Sequence, residues 1–232
     1  MGDKFNYIQG KIELVNNEIF KEYVSKFETE EGEKEKVVEC VFSKHRELTQ
    51  ENILIKTIVL NNIYNTKLNN NKMSDEKKED YKNKKKVIPV DVYTMSEHLY
   101  KVLSEDFKVN DKKVLVSLVN KIKNVGKDYS KPNSFATKFC SWSYKDDYPK
   151  IAIVDSKVKG MLYRYNLKYK YMDKFKREEL DDYSMFLEVY ESFLKCTNLE
   201  KEDYKKVDEF LWEYAKTIED NAKKDNFEGV MV

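Results

Sequence analysis

Apolar positions along this chain recur at spacings of three and four, the period of one helical face. Ile19, Phe20, Tyr23, Val24 and Phe27 set that pattern over residues 17 to 28. Thr49 stands where an N-cap belongs, ahead of the broad apolar run Ile53 to Leu60 and then Ile63 and Tyr64, which predicts the most buried, central helix of the fold. The segment Asn69 to Lys86 is polar, charged and low in complexity, and reads as an exposed, mobile loop. Pro89 precedes a helix over Asp91 to Ser104, and Asn110 caps another carrying Val114, Leu115, Leu118, Val119 and Ile122, stopped by Gly126. Lys127 to Asn133 is a linker and Ser134 to Ser143 a short helix. A loop with Pro149 then leads to Asp155, placed as the N-cap of a helix to Asn166. Two longer amphipathic helices, Leu180 to Cys196 and Lys201 to Ala222, close the pattern.

The predicted fold class is therefore all-α, a compact multi-helix domain taken as one unit over residues 1–232. Six Gly and three Pro in the whole chain are too few for the turns that an all-β or α/β fold of this size needs. A hydrophobic fraction of 41% argues against wholesale disorder, and 17 Tyr and 12 Phe are expected to fill much of the core. Charged residues make up 37% and mean hydropathy is −0.77, which makes the helices two-faced and well solvated.

Several functional classes drop out. No apolar run approaches the roughly 18 residues of a membrane span, and the polar start Met1 to Lys4 is unlike a secretory signal, so the expectation is a cytoplasmic protein with no membrane partner. Cys40, Cys140 and Cys196 are scattered and odd in number, and His45 and His98 are isolated. That spacing suits neither a disulfide framework nor a metal centre, and no cofactor is expected. Gly-rich phosphate loops, nucleophile elbows and Cys-x-x-Cys pairs do not occur.

Net charge is +1, from 43 basic and 42 acidic residues, so no global field announces nucleic acid. Charge is locally biased. Lys82 to Lys86 form a basic run, many Lys and Arg fall among aromatics between Lys113 and Arg177, and acids concentrate in the first 40 residues and after Glu178. Tyr163 to Tyr171 alternates rings with Arg164, Lys168 and Lys170, the pattern of a nucleic-acid surface or of lysines snorkelling over tyrosine rings.

Chemistry concentrates between residues 126 and 166, and above all in Asn133 to Arg164, NSFATKFCSWSYKDDYPKIAIVDSKVKGMLYR. A short helix carries a lysine, a loop with a proline follows, and an aspartate opens the next helix. This order resembles the central segment of the helix-hairpin-helix DNA glycosylases, in particular the 8-oxoguanine branch, where a Gly-Val-Gly-x-Lys turn enters a helix and a Pro-Val-Asp-x-x-Val segment opens the next. Ser134-Phe135-Ala136-Thr137-Lys138 lies on the first motif and Ile153-Val154-Asp155-Ser156-Lys157-Val158 on the second. Ser134 and Ala136 replace both hairpin glycines, and Pro149 stands six residues before Asp155. The sequence is also similar to looser relatives in bacterial and phage-defence settings that keep the lysine and aspartate without the glycines.

The resemblance implies a DNA glycosylase with accompanying AP-lyase activity, acting on duplex DNA with an everted base. Lys138 is then the nucleophile on the anomeric carbon and Asp155 the carboxylate that offsets the developing positive charge. A lysine must be neutral to attack, and burial favours that form. Ser134, Thr137, Lys157 and Arg164 become candidate DNA contacts. So do Asn65 and Thr66, because in the family the long central helix ends near the loop that inserts into the duplex. Trp142 and Tyr144, just past the lysine, become candidate walls of a base pocket. Cys140 reads as a buried, inert thiol. Two alternatives remain: a catalytically silent DNA-binding module of the same fold, and a helical protein-interaction domain.

Overall fold

In the computed structural model, the described residues are 12–105 and 107–228, with side chains described as far as 221. They form helices α1 (Asn17–Lys44), α2 (Gln50–Tyr64), α3 (Asp75–Asn83), α4 (Val92–Leu103), α5 (Lys112–Lys123) and α6 (Asn133–Tyr144). After these come α7 (Ser156–Tyr169), a 3-10 turn at Arg177–Asp181, α8 (Tyr183–Thr197) and α9 (Tyr204–Glu228). The only extended pairing among the described residues is two isolated parallel bridges, Asn69 with Asp91 and Ile88 with Tyr129. The all-α expectation holds.

Most helices begin at a short polar residue whose side chain accepts an otherwise unpaired amide. Thr49 accepts from the Asn52 amide, Ser74 from Lys77, Asp91 from Thr94, Asp111 from Val114, Asp155 from Lys157 and Asp182 from Met185. Three end in the left-handed region, at Asn65 (φ 46°), Lys170 (φ 51°) and Asn198 (φ 57°).

The chain divides into two compact units, one formed by residues up to Gly32 together with Ala152 onward, the other by Glu33–Ile151. In the first unit, α7 packs on α9 and α8 on the 3-10 turn. Its core is aromatic. Tyr165 meets Phe193 edge-on at 5.0 Å, Phe20 lies 5.6 Å from Phe210, and Phe27 meets Trp212 at 5.8 Å. Buried hydroxyls are paired: Tyr183 donates to the Ala152 carbonyl and Tyr190 to that of Tyr204. In the second unit, α2 packs on α4 and α6, and α5 packs on α4 and α6. Leu115, Leu118, Val119 and Ile122 of α5 are buried here, as are Phe135 and Phe139 of α6.

Three expectations change. Residues 69–86 are not a continuous loop: Ser74 caps α3, which carries ion pairs between Lys82 and Glu79 and between Lys84 and Asp80, while Leu68 and Met73 are buried ahead of it. The first helix continues through its charged stretch to Lys44. α2 is not the most buried helix, because Leu54, Ile55, Ile58 and Val59 are only half-buried and it hides five residues, whereas α8, of the same length, hides eight. No helix among the described residues is long and apolar enough to cross a membrane.

Candidate functional site

Lys138 lies in the second turn of α6, in the Glu33–Ile151 unit, and is 7% exposed. Its ammonium donates to Ser134 Oγ at 3.0 Å and sits 5.3 Å from the Tyr64 ring centroid. Asp155 belongs to the other unit, where it caps α7 and accepts the Lys157 amide at 2.8 Å. The expected N-cap is therefore in place, and the helix N-terminus favours a negative charge there.

The hairpin turn that the resemblance implies is absent. Ser134 to Lys138 lies wholly inside α6, and none of these residues has a positive φ. Serine and alanine in place of glycine suit a helix and disfavour the left-handed turn that would bring backbone amides up to a phosphate. Thr137 is completely buried, its hydroxyl donated back to the carbonyls of Asn133 and Ser134, so it offers nothing to DNA.

The other proposed contacts are also occupied within the protein. Thr66 is buried and donates to Asn61 Oδ1 at 2.9 Å, while Asn65 is exposed as the left-handed cap of α2. Lys157 and Arg164 both pair with Glu219, at 3.0 and 3.4 Å. Burial alone would raise the Glu219 carboxyl, but the two cations outweigh it and hold it below the usual carboxylate range. The alternating segment from Tyr163 to Tyr171 turns its rings inward: Tyr165 is fully buried, Tyr169 donates to the Ile12 carbonyl, and Tyr171 donates to that of Leu162.

Trp142 and Tyr144 do share a cavity. It lies in the Glu33–Ile151 unit, has a volume of about 450 Å³, and is reached between the C-terminal ends of α1 and α6. Phe42, Ile53, Phe139 and Trp142 form its apolar wall, with Phe42 and Phe139 edge-on at 5.8 Å. Tyr144 is pushed up to about 12 by burial, with smaller contributions from Cys140 and Asp147, so its hydroxyl keeps its proton.

Two lysines line this cavity, Lys56 at its apolar wall and Lys145 at its exposed edge, and Lys138 does not. Lys56 is 8% exposed, its Nζ stands 5.0 Å from the Phe42 ring centroid, and burial lowers its pKa. No carboxylate or hydrogen-bond acceptor among the described residues pairs with it. The sequence carried a sign of this residue: Lys56 interrupts the most apolar run of the chain, ILIKTIVL. Amphipathic reading treats a single lysine in such a run as a solvated position, and so passes over it.

Residues 19–147 match the HI_0787_N family, described as an N-terminal domain, and make up more than half of the chain. The chain belongs to the HI_0787_N family. No curated protein and no solved structure matches it. The span matched to HI_0787_N contains every residue lining the cavity and contains Lys138, and it stops short of Asp155.

Proposed function

We propose that the protein is a DNA glycosylase that excises a damaged or modified base through Lys138, with Asp155 as the electrostatic partner. The observation that carries the reading is the succession of a buried amine on α6 and a capping carboxylate at the start of α7, the order found in the family that this segment resembles. Lys138 Nζ, once released from Ser134 and deprotonated, would bond to the sugar C1′ as the base departs with the glycosidic electron pair. Asp155, at the positive end of the α7 dipole, would offset the charge that grows on the sugar. DNA is the partner on this reading, and neither step calls for a metal or organic cofactor.

The experiment is release of the base from duplexes carrying 8-oxoguanine or uracil, scored by alkaline strand cleavage, for wild type, Lys138→Gln and Asp155→Asn. Asparagine caps a helix as well as aspartate does, so Asp155→Asn removes the charge and leaves α7 capped. Loss of release in both variants supports the assignment. Release that survives Lys138→Gln would remove it.

The continuous helix α6 where the family has a hairpin turn favours a second reading, a module that binds DNA without cleaving it. It predicts salt-sensitive binding, unchanged in Lys138→Gln, and no base release.

A further inference from the structure

The cavity of the Glu33–Ile151 unit combines the features of a small-molecule site. Its volume of about 450 Å³ lies within the roughly 300–1,000 Å³ of small-molecule sites. One part of its wall is aromatic, formed by Phe42, Phe139 and Trp142. The Lys56 residue at that wall is 8% exposed and pairs with no carboxylate among the described residues, although a buried ammonium is costly unless a counter-charge accompanies it. A further polar atom is unmatched, since Ser143 Oγ lines the same cavity, is inaccessible to solvent and has no hydrogen-bond partner.

We propose that this cavity binds a small aromatic monocarboxylate, its ring held against the face formed by Phe42, Phe139 and Trp142 and its carboxylate on the Lys56 ammonium. The aromatic wall supplies stacking and edge contacts to a flat ring. The ligand's carboxylate supplies the counter-charge that Lys56 lacks, in a low-dielectric setting where a charge-assisted hydrogen bond is strong. The lowered pKa of Lys56 has the same origin, burial of its charge.

The mouth sets the ligand's size and charge. Glu39, Glu47, Asp146 and Asp147 line it against Arg46 and Lys145, and Lys145 is already paired with Glu39 at 2.8 Å. A net negative rim opposes a polyanionic phosphodiester chain more strongly than a compact monoanion whose single charge lies past the rim on Lys56. The site is accordingly separate from the proposed DNA chemistry and does not depend on it.

The test is isothermal titration of the full chain with 1-naphthoate and with its neutral counterpart 1-naphthamide, for wild type and Lys56→Met. Wild type is expected to bind the carboxylate at least tenfold more tightly than the amide, and Lys56→Met to erase that preference. The wild-type comparison stands on its own if the variant does not fold. No binding of naphthoate at millimolar concentration, equal binding of acid and amide, or a preference that survives Lys56→Met would each overturn the proposal. Displacement of naphthoate by a 5′-phosphorylated dinucleotide would replace the monocarboxylate by a nucleotide.

Discussion

Replacing Asn61 by alanine should unfasten the turn that follows α2. The side chain of Asn61 is 5% exposed and makes four hydrogen bonds: Nδ2 donates to the Leu68 carbonyl at 3.0 Å and to Asn70 Oδ1 at 2.7 Å, and Oδ1 accepts from Thr66 Oγ1 at 2.9 Å and the Leu68 amide at 3.0 Å. Asn70 is exposed, so water replaces its lost bond at little cost. Leu68 is buried, and each of its backbone groups left unpaired costs about 1–3 kcal/mol. The better helix propensity of alanine returns about 0.5 kcal/mol. The net loss expected for Asn61→Ala is about 1.5–5.5 kcal/mol, read as a lower urea midpoint at unchanged m-value by far-ultraviolet circular dichroism. Asn61→Asp keeps the acceptors but turns an oxygen toward the Leu68 carbonyl and Asn70 Oδ1, so it should be no milder. A loss below about 1 kcal/mol in Asn61→Ala would refute this account of the turn, because it would mean that Leu68 finds other partners.

Further outcomes follow from single observations. Asn65 holds φ 46° at the end of α2, so Asn65→Ala should cost roughly 1 kcal/mol in urea unfolding while Asn65→Gly stays within a few tenths. Glu219 is held below the ordinary carboxylate range when folded, so its contribution to stability is complete above its unfolded value of 4.5 and is lost as pH falls from there through the lower folded value. Unfolding titrations at pH 6 and pH 3 should therefore show a smaller acid loss in Glu219→Gln than in wild type. Cys140 is fully buried and its thiol is pushed well up by burial, whereas Cys40 and Cys196 are exposed. Ellman's reagent should accordingly label two thiols of the native protein quickly and the third only on unfolding.

Helix existence was legible in the sequence because periodicity and caps act locally. Thr49 and Asp155 cap the helices expected of them, and the cap ahead of α5 is Asp111 rather than its neighbour Asn110. Misreadings arose where the decisive contact is remote. Residues 75–83 have no apolar face, and α3 draws on its Ser74 cap and ion pairs three and four residues apart, which composition does not weigh. The split between Glu33–Ile151 and the remainder left no mark in composition, because α1 crosses it as one uninterrupted helix.

At the candidate sites, short motifs conveyed residue type and order but not occupancy. Lys157 and Arg164 read as DNA contacts until Glu219, over 50 residues further on, is seen to pair with both. Thr66 was expected to face DNA and instead serves Asn61. Trp142 and Tyr144 were expected to wall a base pocket next to Lys138; they line a cavity whose buried lysine, Lys56, comes from α2, far away in sequence, and only tertiary packing joins them.

The measurement that bears most directly on the glycosylase reading is borohydride trapping on duplexes carrying 8-oxoguanine, uracil or an abasic site, with the reduced sugar adduct located by tryptic mass spectrometry. The account predicts a covalent adduct on the peptide containing Lys138, absent in Lys138→Gln. An adduct on Lys56 or any other lysine, or no adduct on any of the three substrates, would contradict it.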